Sequence, residues 1–122
     1  MKTRGLLLFA HGARDPRWAE PFEAVARRVA LHEPQWHVVL AYLEFMQPTL
    51  ADAGEGLVRA GCSRVDIVPL FLGAGGHVRK DLPALLERLA AAHPAVQWQL
   101  QRAIGEVGAV IDAMALAAVQ MP

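Results

Sequence analysis

Three residues far apart in the chain carry side chains able to hold a metal ion or move a proton: His11, Glu44 and His77. Imidazole suits divalent cobalt, nickel, iron and zinc. Two histidines alone make an incomplete coordination set, with positions left for water or substrate, whereas a structural zinc site takes four ligands. An incomplete set fits a protein that holds an ion briefly and passes it on. Taken singly, each histidine reads most simply as a hydrogen-bond partner for its own loop. Glu44 follows an apolar stretch and precedes Phe45 and Met46. A carboxylate there can accept a proton from a reacting group, and a role as helix cap or ion-pair partner suits the position at least as well.

Basic residues flank both histidines: Arg14 and Arg17 after the first, Arg79 and Lys80 after the second. Arginine presents a planar fork of donors that matches a carboxylate; the same four residues also suit a solvated surface. Asp15 and Asp81, among them, read as helix N-caps. The segment Leu72-Gly73-Ala74-Gly75-Gly76-His77 is glycine-rich but lacks the GxxxxGK[ST] pattern of a nucleotide P-loop. It also lacks the GxGxxG order directly after a first strand. Gly75 and Gly76 would let the backbone lie close to a flat ligand, with a plain turn as the alternative. His32 and His93 fall near helix ends, His37 at a strand start, and Trp18, Trp36 and Trp98 are spread as packing residues. Cys62 has no partner in sequence, and a structural role is expected.

These residues need elements to position them. Leu6–Ala10 is a continuous apolar run, the pattern of a strand buried on both faces. A helix over Pro16–Leu31 follows, with Asp15 as cap and proline first. The second strand is His37–Leu43, and Pro48 opens a helix that ends at Ala60 before Gly61. Gly54 and Gly56 inside it suggest close packing, since glycine costs about 1 kcal/mol in a helix interior. Val65–Leu70 is the third strand, and Asp81 caps a helix running to Ala92. Val96–Gln101 is a polar edge strand, and Glu106–Gln120 a last helix rich in alanine and methionine. Four strand–helix units predict an α/β fold: an open parallel four-stranded sheet of order 2-1-3-4, helices on both faces. That order has a switch point between strands 1 and 3, where open α/β sheets bind ligands beyond the carboxyl ends of their strands. The topology thus predicts His11, Glu44 and His77 on one rim.

The 122 residues form a single domain by length, spanning 1–122. Hydrophobic residues make up 54% and charged residues 20%, so a packed core is expected and disorder is not. Twelve basic side chains balance twelve acidic ones, which argues against a nucleic-acid or anionic-membrane partner. Recognition of an anion would have to be local. One cysteine excludes an internal disulfide. No apolar run approaches the roughly 18 residues of a membrane span, so a cytoplasmic location is the expectation.

Three segments, FAHGARDPRWAEPFE, YLEFMQPTLADA and VPLFLGAGGHVRKDLP, resemble the short single-domain sirohydrochlorin chelatases of the CbiX type. The third is the most specific, and the likeness runs from the first strand to the last helix. The resemblance implies a class II chelatase, the single-domain half of a larger two-domain design, that works as a homodimer. It would insert a divalent metal into sirohydrochlorin without ATP, serving cobalamin or siroheme biosynthesis. Cobalt is the favoured ion, with iron or nickel possible, and no cofactor beyond that substrate metal is implied. The family's metal-site histidines match His11 and His77, and its acidic position after the second strand matches Glu44. Many relatives read HGSR where this chain reads HGAR, so Ala13 lacks a hydroxyl. A carrier that binds metal or tetrapyrrole without catalysis is the rival reading. A histidine phosphatase is disfavoured, because Ala10 precedes His11 where such enzymes have arginine.

Overall fold

A computed structural model describes residues 3–73 and 75–121, with His77 and Arg79 described in backbone alone. The three apolar runs and the polar edge strand form one sheet: β1 (Arg4–Ala10), β2 (His37–Tyr42), β3 (Arg64–Pro69) and β4 (Gln97–Leu100). The strand order is β2-β1-β3-β4, and every neighbouring pair is parallel. β1 is central: Leu8 pairs with Leu40 on one side and Val68 on the other. That position explains its unbroken apolar sequence, since both faces and both edges are covered.

Alternation sorts the side chains of β1 between two faces. Leu7 and Phe9 join Val65 and Ile67 in a core closed by α2 (Leu50–Arg59) and α3 (Gly76–Ala92), through Leu50, Ala53, Leu57, Leu82 and Leu89. On the opposite face Ala10 packs with Ala19, Tyr42, Trp18, Phe22 and Leu40 under α1 (Glu20–His32). The order 2-1-3-4 and the two-faced arrangement are as the sequence predicts. Gly54 of α2 explains itself here, because a Cβ would stand 3.0 Å from the Leu89 side chain of α3. At Gly56 the nearest such atom is 4.0 Å away, so close packing accounts for only one of the two glycines.

Several element starts differ from the sequence reading. Asp15 does cap a helical turn, accepting from the Arg17 amide at 2.9 Å, but Pro16–Ala19 is a 3-10 turn that precedes α1. Pro48 does not open α2. Thr49 caps it, its Oγ1 accepting from the Asp52 amide at 3.2 Å, after a cis Gln47–Pro48 bond. Asp81 is not an N-cap. It lies inside α3, which begins five residues earlier behind an extended Gly75 (φ −65°, ψ 159°). The Asp-Leu-Pro order mimics a helix start, but α3 runs on through Pro83, which fits the helical φ and gives up the hydrogen bond that a backbone N–H would donate one turn back. The predicted Glu106–Gln120 helix divides into a 3-10 turn, Ile104–Glu106, and α4 (Gly108–Gln120).

Candidate functional site

The carboxyl ends of β1 and β2 stay joined beyond the strands. Leu43 donates its amide to the Ala10 carbonyl at 2.9 Å, and Glu44 donates to the His11 carbonyl at 3.1 Å. Gly12 makes the approach possible. Its φ is +93°, and a Cβ there would collide with the Glu44 carbonyl oxygen. The two crossing loops bring the His11 Nε2 within 3.4 Å of Glu44 Oε1, with both side chains about half exposed. The His11 ring stands edge-on to Phe71, centroids 6.0 Å apart, and Phe71 in turn contacts Phe9 at 5.9 Å. An aromatic stack rooted in the core thus steadies the imidazole from below.

His11 and Glu44 sit at the mouth of a cavity of about 410 Å³, lined also by Phe9, Leu43, Val78, Asp81, Leu82 and Leu85. A second cavity of about 360 Å³ shares Val78 and Leu82 with it and reaches past Pro69 and Phe71 to Leu100 and Gln101. Together they cross the carboxyl ends of all four strands, the position predicted for ligands in this topology. The structure brings His11 and Glu44 together. It places His77 as the second residue of α3, in the element that walls the same cavity through Val78, Asp81 and Leu82; its side chain lies outside the described residues. Among the described residues no three histidine, cysteine or acidic groups cluster to hold a metal. His11 with Glu44 is therefore a partial donor set.

Asp81 is the residue that sequence reasoning missed. Read as a cap, it instead lines the cavity. The available signal was its place one helical turn after His77, a spacing that brings residues to one side of a helix. The basic candidates separate. The Arg14 guanidinium lies 5.0 Å from the Phe45 ring centroid, beside Glu44. Arg17 is engaged by Asp15 at 3.1 Å, and that contact, with the backbone cap, holds the Asp15 carboxyl below its usual range. Lys80 is exposed, and the Arg79 side chain lies outside the described residues. Gly75 and Gly76 face open space, with no atom within 4 Å of an added Cβ. Cys62 is buried, and burial pushes its thiol pKa up, which keeps it a protonated packing group.

The fold is an open parallel α/β sheet that carries an imidazole–carboxylate pair at its switch point, the place where sheets of this class bind ligands. Residues 5–119 match the CbiX family, and the chain belongs to it. It is similar to sirohydrochlorin cobaltochelatases of Saccharolobus solfataricus (34% identity over 82 residues, 67% of this chain and 62% of that one) and Methanosarcina barkeri (33% over 82 residues, 67% and 63%). The chain thus spans under two thirds of the length of these curated relatives. A CbiX protein from Marinobacter aquaeolei superposes with a TM-score of 0.84 at 34% identity, covering 96% of this chain and 95% of that one. The sirohydrochlorin chelatase SirB from Bacillus subtilis subspecies spizizenii, in complex with cobalt, gives 0.83 at 23% identity. It covers 98% of this chain and 51% of that one, a likeness of fold.

Proposed function

We propose that this chain inserts a divalent metal into sirohydrochlorin without ATP, in the route to cobalamin or siroheme. Cobalt(II) is the favoured ion, and iron(II) and nickel(II) are ions the same donors accept. The observation that carries the proposal is the His11–Glu44 pair, 3.4 Å apart at the mouth of the switch-point cavity. The names of the relatives in the family support the substrate.

Insertion exchanges two pyrrole protons for one metal ion, so the site must deliver an ion and remove two protons. His11 Nε2, half exposed, is open to the ion or to a pyrrole proton. Glu44 Oε1 is near enough to take a proton onward to solvent. His77 supplies the second imidazole of the pair. Arg14, Arg17, Arg79 and Lys80 bind the carboxylates around the ring, and Gly75 and Gly76 leave room for its face. A single chain offers one wall to a flat ring, and a second copy closes the cleft, so the working form is a cytoplasmic homodimer. Among the described residues no helix is long and apolar enough to cross a membrane.

The test is an anaerobic absorbance time course with sirohydrochlorin and cobalt(II), run with the native chain, His11→Ala, His77→Ala and no protein. Insertion faster than the protein-free rate, lost in both variants, is the expected result. Acceleration that survives both variants removes the site. Ring binding without acceleration replaces the chelatase with a carrier.

A further inference from the structure

The rim of the strand-end cavity carries an aromatic residue in a costly backbone conformation. The chain has four phenylalanines, three tryptophans and one tyrosine. Among the described residues Phe45 is the one exposed aromatic, at 58%. Most of the other exposed large apolar side chains stand on α4 or border an apolar groove of about 520 Å³ under α1. Phe45 lies apart from both. It directly follows Glu44, at the mouth of the cavity that His11 also lines.

Phe45 is the central residue of a three-residue turn. The Met46 amide donates to the Glu44 carbonyl at 2.8 Å across it, and the φ of Phe45 is +64°. A hydrogen bond from i+2 back to i over a positive φ is the rare, strained form of the γ-turn. The Glu44 carbonyl oxygen is also the atom that Gly12 approaches, so the turn and the loop crossing hold one peptide between them. The turn reverses the chain and leaves the Phe45 side chain in solvent, where it contributes little burial. The Arg14 guanidinium lies over the ring, 5.0 Å from its centroid. A cation–π contact at an exposed site returns less than left-handed backbone costs. Strain that the protein alone does not offset, held at the rim of a site, is an outlier from which function is inferred.

We propose that Phe45 is a substrate-binding residue, the platform on which one face of the tetrapyrrole ring stacks, and that it makes the rim selective for a conjugated ring fringed by carboxylates. Stacking covers the exposed side chain with a π surface, in the offset arrangement that aromatic pairs prefer. Arg14, on the same patch, meets a carboxylate arm at the ring's edge. The apolar face and the cation match the two parts of such a ligand. A macrocycle seated there lies beside the His11–Glu44 pair. The inference rests on the ring-binding part of the function proposed above. Its test reads binding and insertion separately, so each reading fails on its own.

The experiment is an anaerobic titration of metal-free sirohydrochlorin, followed by the ring's absorbance, with the native chain, Phe45→Leu, Phe45→Tyr and Phe45→Gly. Insertion kinetics with cobalt(II) are then measured on the same four proteins. Leucine keeps an apolar side chain without a π face, and tyrosine restores the face. Glycine accepts the positive φ without strain, so it serves where leucine fails to fold. Circular dichroism checks each fold, and light scattering each mass. The expected result is a Kd for the ring about 5–10-fold higher in Phe45→Leu and Phe45→Gly, with Phe45→Tyr close to native. KM should rise by more than kcat falls, as for a contact made to bound substrate. Leucine binding as tightly as phenylalanine overturns the proposal, and so does tyrosine binding as weakly as leucine. A loss confined to kcat overturns it by showing that the turn positions Glu44 and does not touch the ring. A native dimer that becomes a monomer in Phe45→Leu overturns it by giving the side chain to the partner copy. Native protein that inserts cobalt while Phe45→Leu binds unchanged discards this inference alone. Native protein that binds the ring through Phe45 without accelerating insertion discards the chelatase and keeps the platform, and native protein that binds no ring overturns both.

Discussion

The strand-end cavity and the groove under α1 are close in size, about 410 and 520 Å³, and share the central strand as floor. One receives Phe9 and ends in His11; the other receives Leu6 and Leu8. Alternation along β1 divides them. The first holds an imidazole, two carboxylates and a pinched backbone crossing. The second holds aliphatic and aromatic side chains alone, with an apolar helix standing beside it. The difference teaches how to read a concavity. Polar groups brought together at a close backbone approach point to chemistry, and an apolar lining next to an equally apolar helix points to assembly.

The largest expected effect separates the two directly. His11→Ala should slow metal insertion by about 10²-fold or more, the usual contribution of a positioned acid–base group. Its thermal midpoint should stay close to native, because the ring is half exposed. An equal loss of activity and stability would show that His11 is a packing residue, and the comparison would fail at its first term.

Gly12→Ala comes next. It forces alanine into φ +93° and drives a methyl group into the Glu44 carbonyl oxygen. A loss of about 3 kcal/mol in urea unfolding is expected, combining left-handed strain with displacement of the loop. Gly75→Ala, with no neighbour within 4 Å, should cost far less. Similar losses for both would mean that the crossing of the two loops is not what holds the rim.

A third substitution acts on stability away from both cavities. Asp66, on β3, is only 2% exposed. Burial alone would raise its pKa, but Arg64, Gln101 and Arg4 outweigh it and hold the carboxyl below its usual range. Because the folded pKa is the lower one, Asp66 contributes its full stability above about pH 4, the unfolded value. That contribution is lost as pH falls through the folded pKa. Asp66→Asn should lower stability at pH 7 by about 1–2 kcal/mol and flatten this acid limb in urea titrations. Native mass and insertion per folded molecule should not change.

How much of this the sequence reveals depends on what each feature needs. The sheet order is legible because buried parallel strands require unbroken apolar runs, and Leu6–Ala10 is one. His11 and Glu44 are legible because residues directly after such strands fall at the carboxyl rim. Asp81 is not, because Asp-Leu-Pro satisfies the rules for a helix start as well as those for a helix that runs on through proline. The exposure of α4 is hidden for a different reason. Apolar composition says that a surface will be covered and not by which chain. The left-handed Phe45 is also hidden, since local preference would place glycine or asparagine there.

Phe45 supplies the smallest effect and the sharpest contrast between strained rim and relaxed groove. Its φ is +64°, and the residue is 58% exposed. The turn is closed by the Met46 amide donating to the Glu44 carbonyl at 2.8 Å. A left-handed residue with a side chain costs about 1–2 kcal/mol, which glycine avoids. The Arg14 guanidinium, 5.0 Å from the ring centroid, returns about 0.5–1 kcal/mol at such an exposed site. Phe45→Gly removes both the strain and the contact, so its stability should fall within about 1 kcal/mol of native. Phe45→Ala removes the contact and keeps the strain, and should lie about 1 kcal/mol below the glycine variant. Alanine equal to glycine in urea unfolding would mean that the turn relaxes once the ring is gone. The strain would then belong to the Arg14–Phe45 contact and not to the loop that presents Glu44.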